Sequence, residues 1–242
     1  MGLFSRGRHK AAETPEPEQD DATTGTDDAE SADEAAGPFD VADRPDLDGR
    51  LDLGALRIPR ASGMKVRLEL EKKRRTVIGT SVALEGSALQ MQLFAAPRSA
   101  GLWDEVRAEL AASVEKQKGM VEETTGRWGD ELVVHLPVTR SDGTSAMNVL
   151  RFIGVDGPRW FLRGMLSGLA ATDDAAAEPL RDVLADVVVD RGPEARAPRE
   201  VVTLTAPGTA EAGSEVDTGG APERRTLTLR DLQRGPETTE TR

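Results

Sequence analysis

The stretch SALQMQLFAAPRSAGLWDEVRAELAASV, residues 87–114, changes its hydrophobic period partway along and so decides the fold class. Leu89, Met91 and Leu93 alternate with Gln90 and Gln92, the period of two of a half-buried strand. Pro97 stops that strand. Ser99 or Gly101 can then cap a helix whose first turn carries Asp104 and Glu105, favourable at the positive end of the helix dipole. Trp103, Val106, Leu110 and Val114 fall on one helical face, and Gly119 is placed to stop the helix. Burying those four side chains contributes roughly 6–12 kcal/mol before chain entropy is counted. That stripe, rather than intrinsic propensity, holds such a helix on a sheet.

Upstream the period is two throughout. Met64, Val66, Leu68 and Leu70 alternate with Lys65, Arg67, Glu69 and Glu71. Lys72-Lys73-Arg74-Arg75 makes a charged turn, Ile78, Val82 and Leu84 mark the returning strand, and Glu85-Gly86 turns again. Three antiparallel strands in a meander follow from that pattern. Before them, Leu51, Leu53, Leu56 and Ile58 lead to Pro59 as an extended entry, and order is expected to begin near Leu51.

Downstream, strands are expected around Met120–Thr125, Glu131–Val138, Ala146–Val155 and Arg159–Leu166. Ser141-Asp142-Gly143 and Asp156-Gly157 supply the turns. Asp173 and Asp174 open a second helix with Leu180, Val183, Leu184 and Val187 as its apolar face, before Gly192-Pro193 ends it. Val201, Val202 and Leu204 can add an edge strand. The class is α+β: an antiparallel sheet of about seven or eight strands, with two main helices packed against it. The order of elements suggests two similar halves, each a meander closed by a helix.

Charge divides the 242-residue chain into three parts. Residues 11–50 hold fourteen Asp or Glu against two Arg, a net −12, whereas residues 51–190 sum to −2. All three Trp and three of the five Phe lie between Phe94 and Phe161. The expected organisation is an acidic disordered tail over 1–48, one globular domain over 49–206 and a second disordered tail over 207–242. A domain of that size buries about 68–70% of its unfolded surface and folds unaided. Cys is absent, which excludes disulfides, thiol chemistry and thiolate metal sites and suits a cytoplasmic place. No apolar run approaches the ~18 residues of a membrane span. The start, MGLFSRGRHK, is a short apolar tip with Arg6, Arg8 and Lys10. It lacks the Ser or Thr that a myristoylation signal needs at position 6, so it reads as a terminus more than as an anchor. Leu227, Leu229 and Leu232, among Arg224, Arg225, Arg230 and Arg234, form a short pattern in the last tail, where an incidental origin outweighs a docking peptide.

Chemical motifs are scarce. His135 stands alone on a strand without partners in metal spacing, so its role is structural and no metal or cofactor is expected. No Ser sits in a nucleophile elbow. Gly79 and Gly86 lack the Lys-Ser/Thr ending of a phosphate loop. Paired carboxylates, Asp104-Glu105, Glu122-Glu123 and Asp130-Glu131, read as caps or solvated faces. No catalytic residue is assigned.

Two features remain. Lys65, Arg67, Lys72, Lys73, Arg74 and Arg75 form a basic patch on one hairpin, but no aromatic interleaves them. A solvated turn is therefore preferred to more than weak nucleic-acid contact. The second feature surrounds the aromatic cluster: Arg98, Trp103, Arg151, Arg159, Trp160 and Arg163. Guanidinium beside an aromatic ring suits a protein hot spot or an anion contact, and equally an arginine stem lying along a sheet.

The run Ser87–Ser99, the start of the helix at Trp103–Arg107 and GVDGPRWFLRG over Gly154–Gly164 resemble a family of uncharacterised actinobacterial proteins, domain of unknown function 3710. RLDLGALRIP over Arg50–Pro59 and the MGLF start are similar too, so the resemblance spans about residues 45–206. It implies a cytosolic actinobacterial protein and carries over no activity, because the family has no assigned catalytic residues.

The reading placed first is a non-catalytic cytoplasmic module that binds a protein partner, its tails regulating or extending the contact. The second is a small-molecule or nucleotide-responsive domain using Arg98, Arg159 and Arg163 against an anion, and the third an enzyme. Partner identity and oligomeric state are not legible in the residues.

Overall fold

The computed structural model describes residues 37–71, 76–98, 101–139 and 143–207. Short strands come first: β1 (Phe39–Asp40), β2 (Leu51–Asp52) and β3 (Leu56–Ile58). A meander follows, β4 (Lys65–Leu70), β5 (Val77–Leu84) and β6 (Ser87–Ala95). Its second turn is Glu85-Gly86, with φ of +49° and +79°, the primed geometry whose twist matches a two-residue hairpin. Helix α1 (Trp103–Lys116) leads into a second meander, β7 (Met120–Gly126), β8 (Gly129–Thr139), β9 (Ser145–Gly157) and β10 (Trp160–Ser167). A 3₁₀ turn at Gly168–Ala171 then precedes α2 (Asp174–Ala185) and β11 (Val188–Val189).

The two meanders share one antiparallel sheet of seven strands in the order β4-β5-β6-β10-β9-β8-β7. They meet where β10 pairs with β6, Trp160 opposite Ala95 and Leu166 opposite Leu89. Both strands at that junction are buried on both faces, so Gln90 and Gln92 are not on a solvated face as the alternation suggested. Each helix packs on the meander that does not precede it in the chain. α1 lies on β7, β8 and β9, and α2 on β5 and β6. One core therefore joins Val106, Leu110 and Val114 to Leu132, Val134, Phe152 and Phe161. The other joins Leu180, Val183 and Leu184 to Leu89, Met91, Leu93 and Leu162. The second core is completed by a small sheet, order β1-β11-β3-β2, through Leu53, Leu56, Ile58 and Val189.

Several boundaries differ from the sequence expectation, each for a physical reason. Phe39-Asp40 pairs in parallel with Val188-Val189, so structure starts before Leu51. Indole N–H groups hold this segment: Trp128 donates to the Gly37 carbonyl, and Trp160 donates to Asp40 at 2.8 Å. The alternation of β4 breaks at a register shift between Glu69 and Leu70. Glu69 turns inward and accepts from the Gln90 amide at 2.5 Å, leaving Leu70 51% exposed. α2 ends at Ala185, well before Gly192-Pro193, because Val188 and Val189 are taken up by the small sheet. Residues 201–204 do not add an edge. They lie between the diverging ends of β5 and β6, with Val201 bridged to Phe94 and Leu204 to Val77. Gly119 follows the helix but does not carry its left-handed residue, which is Lys118 at φ +60°. A Cβ at Gly119 would stand 2.7 Å from the His135 carbonyl, so glycine is there for close approach.

Candidate functional site

Both tryptophans proposed as contacts lie on glycines of β9, from opposite sides of the sheet. A Cβ at Gly154 would stand 2.1 Å from the Trp103 ring, and one at Gly157 would stand 2.1 Å from the Trp160 ring. Trp103 stacks on Phe161 at 6.1 Å and donates its indole N–H to the Asp130 carbonyl at 2.6 Å. Phe161 stacks in turn on Phe94 at 5.9 Å. Trp160 belongs to the other core. The aromatic cluster seen in the sequence is thus divided by the sheet, and both tryptophans are buried.

The start of α1 is capped by tertiary structure. Gly101 does not supply the cap, and Ser99 lies outside the described residues; the Leu102 and Trp103 backbone N–H groups donate to the two carboxylate oxygens of Asp156, at 2.6 and 3.1 Å. Asp156 lies near the end of β9, so this contact ties the helix to the second meander.

Arg151 and Arg163 also separate. Arg151 faces α2 and donates to Glu131 at 2.5 Å and to Asp174 at 2.7 Å. Arg181 joins the same carboxylates, at 3.4 and 3.0 Å, and reaches Glu178 at 2.9 Å. Glu131 is 1% exposed and is not the cap or solvated residue its sequence context suggested. A buried carboxylate persists there because two guanidiniums offset its lost hydration. The hydrogen bond from Arg181, then that from Arg151, holds the Asp174 carboxyl below the usual carboxylate range. Arg163 lies on the α1 side, buried, donating to the Gln92 side-chain oxygen with its guanidinium carbon 5.6 Å from the Phe94 ring centre. No single pocket holds Arg151 and Arg163.

Arg159 and Arg98 lie at the end of the sheet where β6 stops. Arg98 is exposed, and Arg159 occupies the β9–β10 turn with φ of +62°. Arg191, Arg196 and Arg199, which the sequence reading did not single out, collect at the same end. Arg199 bridges Glu105 and Glu109 on α1 at 2.9 and 2.7 Å. The Lys72–Arg75 patch lies outside the described residues; Lys65 and Arg67, beside it, are exposed on β4.

On the α1 side a groove of about 530 Å³ runs beyond the helix C-terminus. Leu136, Val138, Leu150 and Met165 line it, with Gln117 and Asn148. It adjoins the far end of the β8–β9 hairpin, where Val138 and Met147 are exposed, Met147 by 50%. His135 sits on the same hairpin, its Nε2 3.8 Å from Glu122. Among the described residues no three His, Cys, Asp or Glu side chains converge in a way that could hold a metal ion. Nor is any described helix long and apolar enough to cross a membrane.

These features define an α+β domain: a seven-stranded antiparallel sheet with a helix on each face, and a small second sheet beside α2. The chain belongs to the family described as "Protein of unknown function (DUF3710)", whose model matches residues 37–213. No curated protein matches the chain. Among solved structures, it has a 12% identical likeness to the solution structure of cyanobacterial PsbP (CyanoP) from Synechocystis sp. PCC 6803, covering 56% of this chain and 87% of that one at a TM-score of 0.32. At that TM-score the likeness bears on neither mechanism nor partner.

Proposed function

We propose that this domain is a non-catalytic cytoplasmic module that binds an apolar segment of a partner protein in the groove between α1 and the β8–β9 hairpin. The observation that carries the reading is the lining. Leu136, Val138, Leu150 and Met165 present apolar surface, Gln117 and Asn148 present neutral amides, and among the described residues no charged side chain lines the groove. Amides of that kind suit a peptide backbone, and the apolar floor suits its side chains. The exposed Val138 carries the apolar surface to the rim of the groove, as part of a docking patch would.

The test is affinity capture from the native cell with the full chain. A protein recovered in stoichiometric amount should be lost on Val138→Glu and retained on Leu70→Glu, the same charge introduced at an exposed leucine on β4, the far edge strand of the sheet. Equal recovery by both variants, with unchanged melting curves, would sink the reading.

A further inference from the structure

We propose that Arg159, Arg191 and Arg196 form a binding site for a phosphate group on a small ligand. The site is distinct from the groove and does not depend on the partner reading. Backbone hydrogen bonds place Arg159 and the segment just after Arg196 on either side of the end of β6. The Ala96 N–H donates to the Arg159 carbonyl at 2.9 Å on one side. On the other, the Arg199 N–H donates to the Ala95 carbonyl at 2.8 Å and the Ala95 N–H donates to Glu200 at 2.9 Å. The β9–β10 turn and the 196–200 segment therefore flank one strand end, each about 4.8 Å from it.

Arg191 is the telling residue. It is only 8% exposed, and its guanidinium donates to two backbone carbonyls, Gly192 at 3.3 Å and Glu194 at 2.8 Å. Its Nε is buried without an acceptor. The comparably buried Arg50, Arg151 and Arg181 each have carboxylate partners; Arg191 has no ion pair among the described residues. Instead it has cations beside it. Its pKa is pushed down by burial first, then by Arg159 and Arg196, with Glu194 and Glu200 acting less strongly in the opposite sense. Arg196 reaches Glu200 at 3.4 Å, yet its Nε is also buried without an acceptor. Among the described residues the Arg159 guanidinium has no hydrogen-bond or ion-pair partner, and its backbone is held at φ +62°, a conformation a residue with a Cβ adopts at a cost.

Three arginines set against two carboxylates leave an excess of positive charge that a bound anion would offset. Guanidinium groups bind phosphate through paired N–H donors. A tetrahedral dianion offers acceptors in several directions at once, whereas a carboxylate offers them in a single plane. The local charge favours an anion: three arginines against Glu194 and Glu200 leave +1, and exposed Arg98 lies two residues beyond Ala96.

The experiment titrates the full chain at constant ionic strength with inorganic phosphate, phenyl phosphate and acetate, following heat and melting temperature. Inorganic phosphate should bind saturably and raise the melting temperature, while acetate should not. Tighter binding of phenyl phosphate would assign the site to a phosphorylated metabolite, and equal or weaker binding would assign it to the free ion. Arg159→Gln should weaken phosphate by about tenfold, the loss of one charge-assisted fork, with the unliganded melt nearly unchanged. Arg159→Gly should weaken it as much while relieving the turn, so the unliganded protein melts no lower than wild type. Absence of saturable phosphate binding would overturn the proposal. So would full affinity in Arg159→Gln, or an equal loss in Arg67→Gln, which removes an exposed cation from β4.

Discussion

The two faces of the large sheet are held by different physics. On the α1 face the helix rests on Val106, Leu110, Val114 and Trp103, a continuous apolar stripe, and its charged contacts stay at the rim, as with Arg107 and Asp130 at 2.5 Å. On the α2 face the helix rests on Leu180, Val183 and Leu184, but it is also fastened through Asp174 and Arg181 to Glu131 and Arg151. Apolar burial is non-directional and tolerates small shifts. A buried ion network has strict geometry, and breaking it leaves charges without partners. The α2 face should therefore be the more brittle of the two.

The largest effect expected is on that face. Glu131→Ala leaves Arg151 and Arg181 facing each other without the buried carboxylate, and should cost about 3–5 kcal/mol. Chemical denaturation would show it as a lower midpoint. A loss no greater than that of an exposed control would mean that water or backbone satisfies the arginines, and the contrast between faces would collapse. On the α1 face, Asp156→Ala removes the cap from Leu102 and Trp103 and should cost about 0.5–2 kcal/mol. Native-state hydrogen exchange should place that loss in the first turn of α1. A uniform loss across both faces would instead make Asp156 a general strut of the β9–β10 turn.

The smallest effect is acid sensitivity. Asp174 has a folded pKa below the unfolded aspartate value of about 3.9. It therefore contributes stability above that pH, and the contribution is lost as pH falls through the folded pKa. Its carboxylate is largely exposed, so solvent screening keeps the effect modest. Asp174→Asn should flatten the stability profile below about pH 4 and leave the slope near neutrality unchanged. An unaltered acid limb would detach Asp174 from the network.

Legibility followed the same division. The period-two runs of β4 to β6, the change of period at Pro97 and the Asp173 cap, which accepts from Ala175 and Ala176, could all be read locally. Glu131 could not. Beside Asp130 on a strand it looks solvated, and its arginines lie 20 and 50 residues away. Arg191 and Arg196 were missed for a related reason: they sit in a segment without periodicity, and their proximity to Arg159 arises only when 199–205 wedges between β5 and β6. The arginine–aromatic set of Arg98 to Arg163 was visible as residue types, but alternation along β10 sends Trp160 and Arg163 to opposite faces, and no sequence distance shows which face a helix will cover.

What the sequence determined by itself is the inventory of elements: α+β class, two meanders, two amphipathic helices and their main turns. Each depends on interactions spanning only a few residues, which leave a periodic trace. Only the tertiary structure decided that the meanders join at β6 and β10, that each helix crosses to the other meander, and that a buried carboxylate meets two arginines while Arg159, Arg191 and Arg196 collect without one. Those outcomes depend on pairing distant strands, and a charge leaves the same mark in a sequence whether it ends in water or in the core.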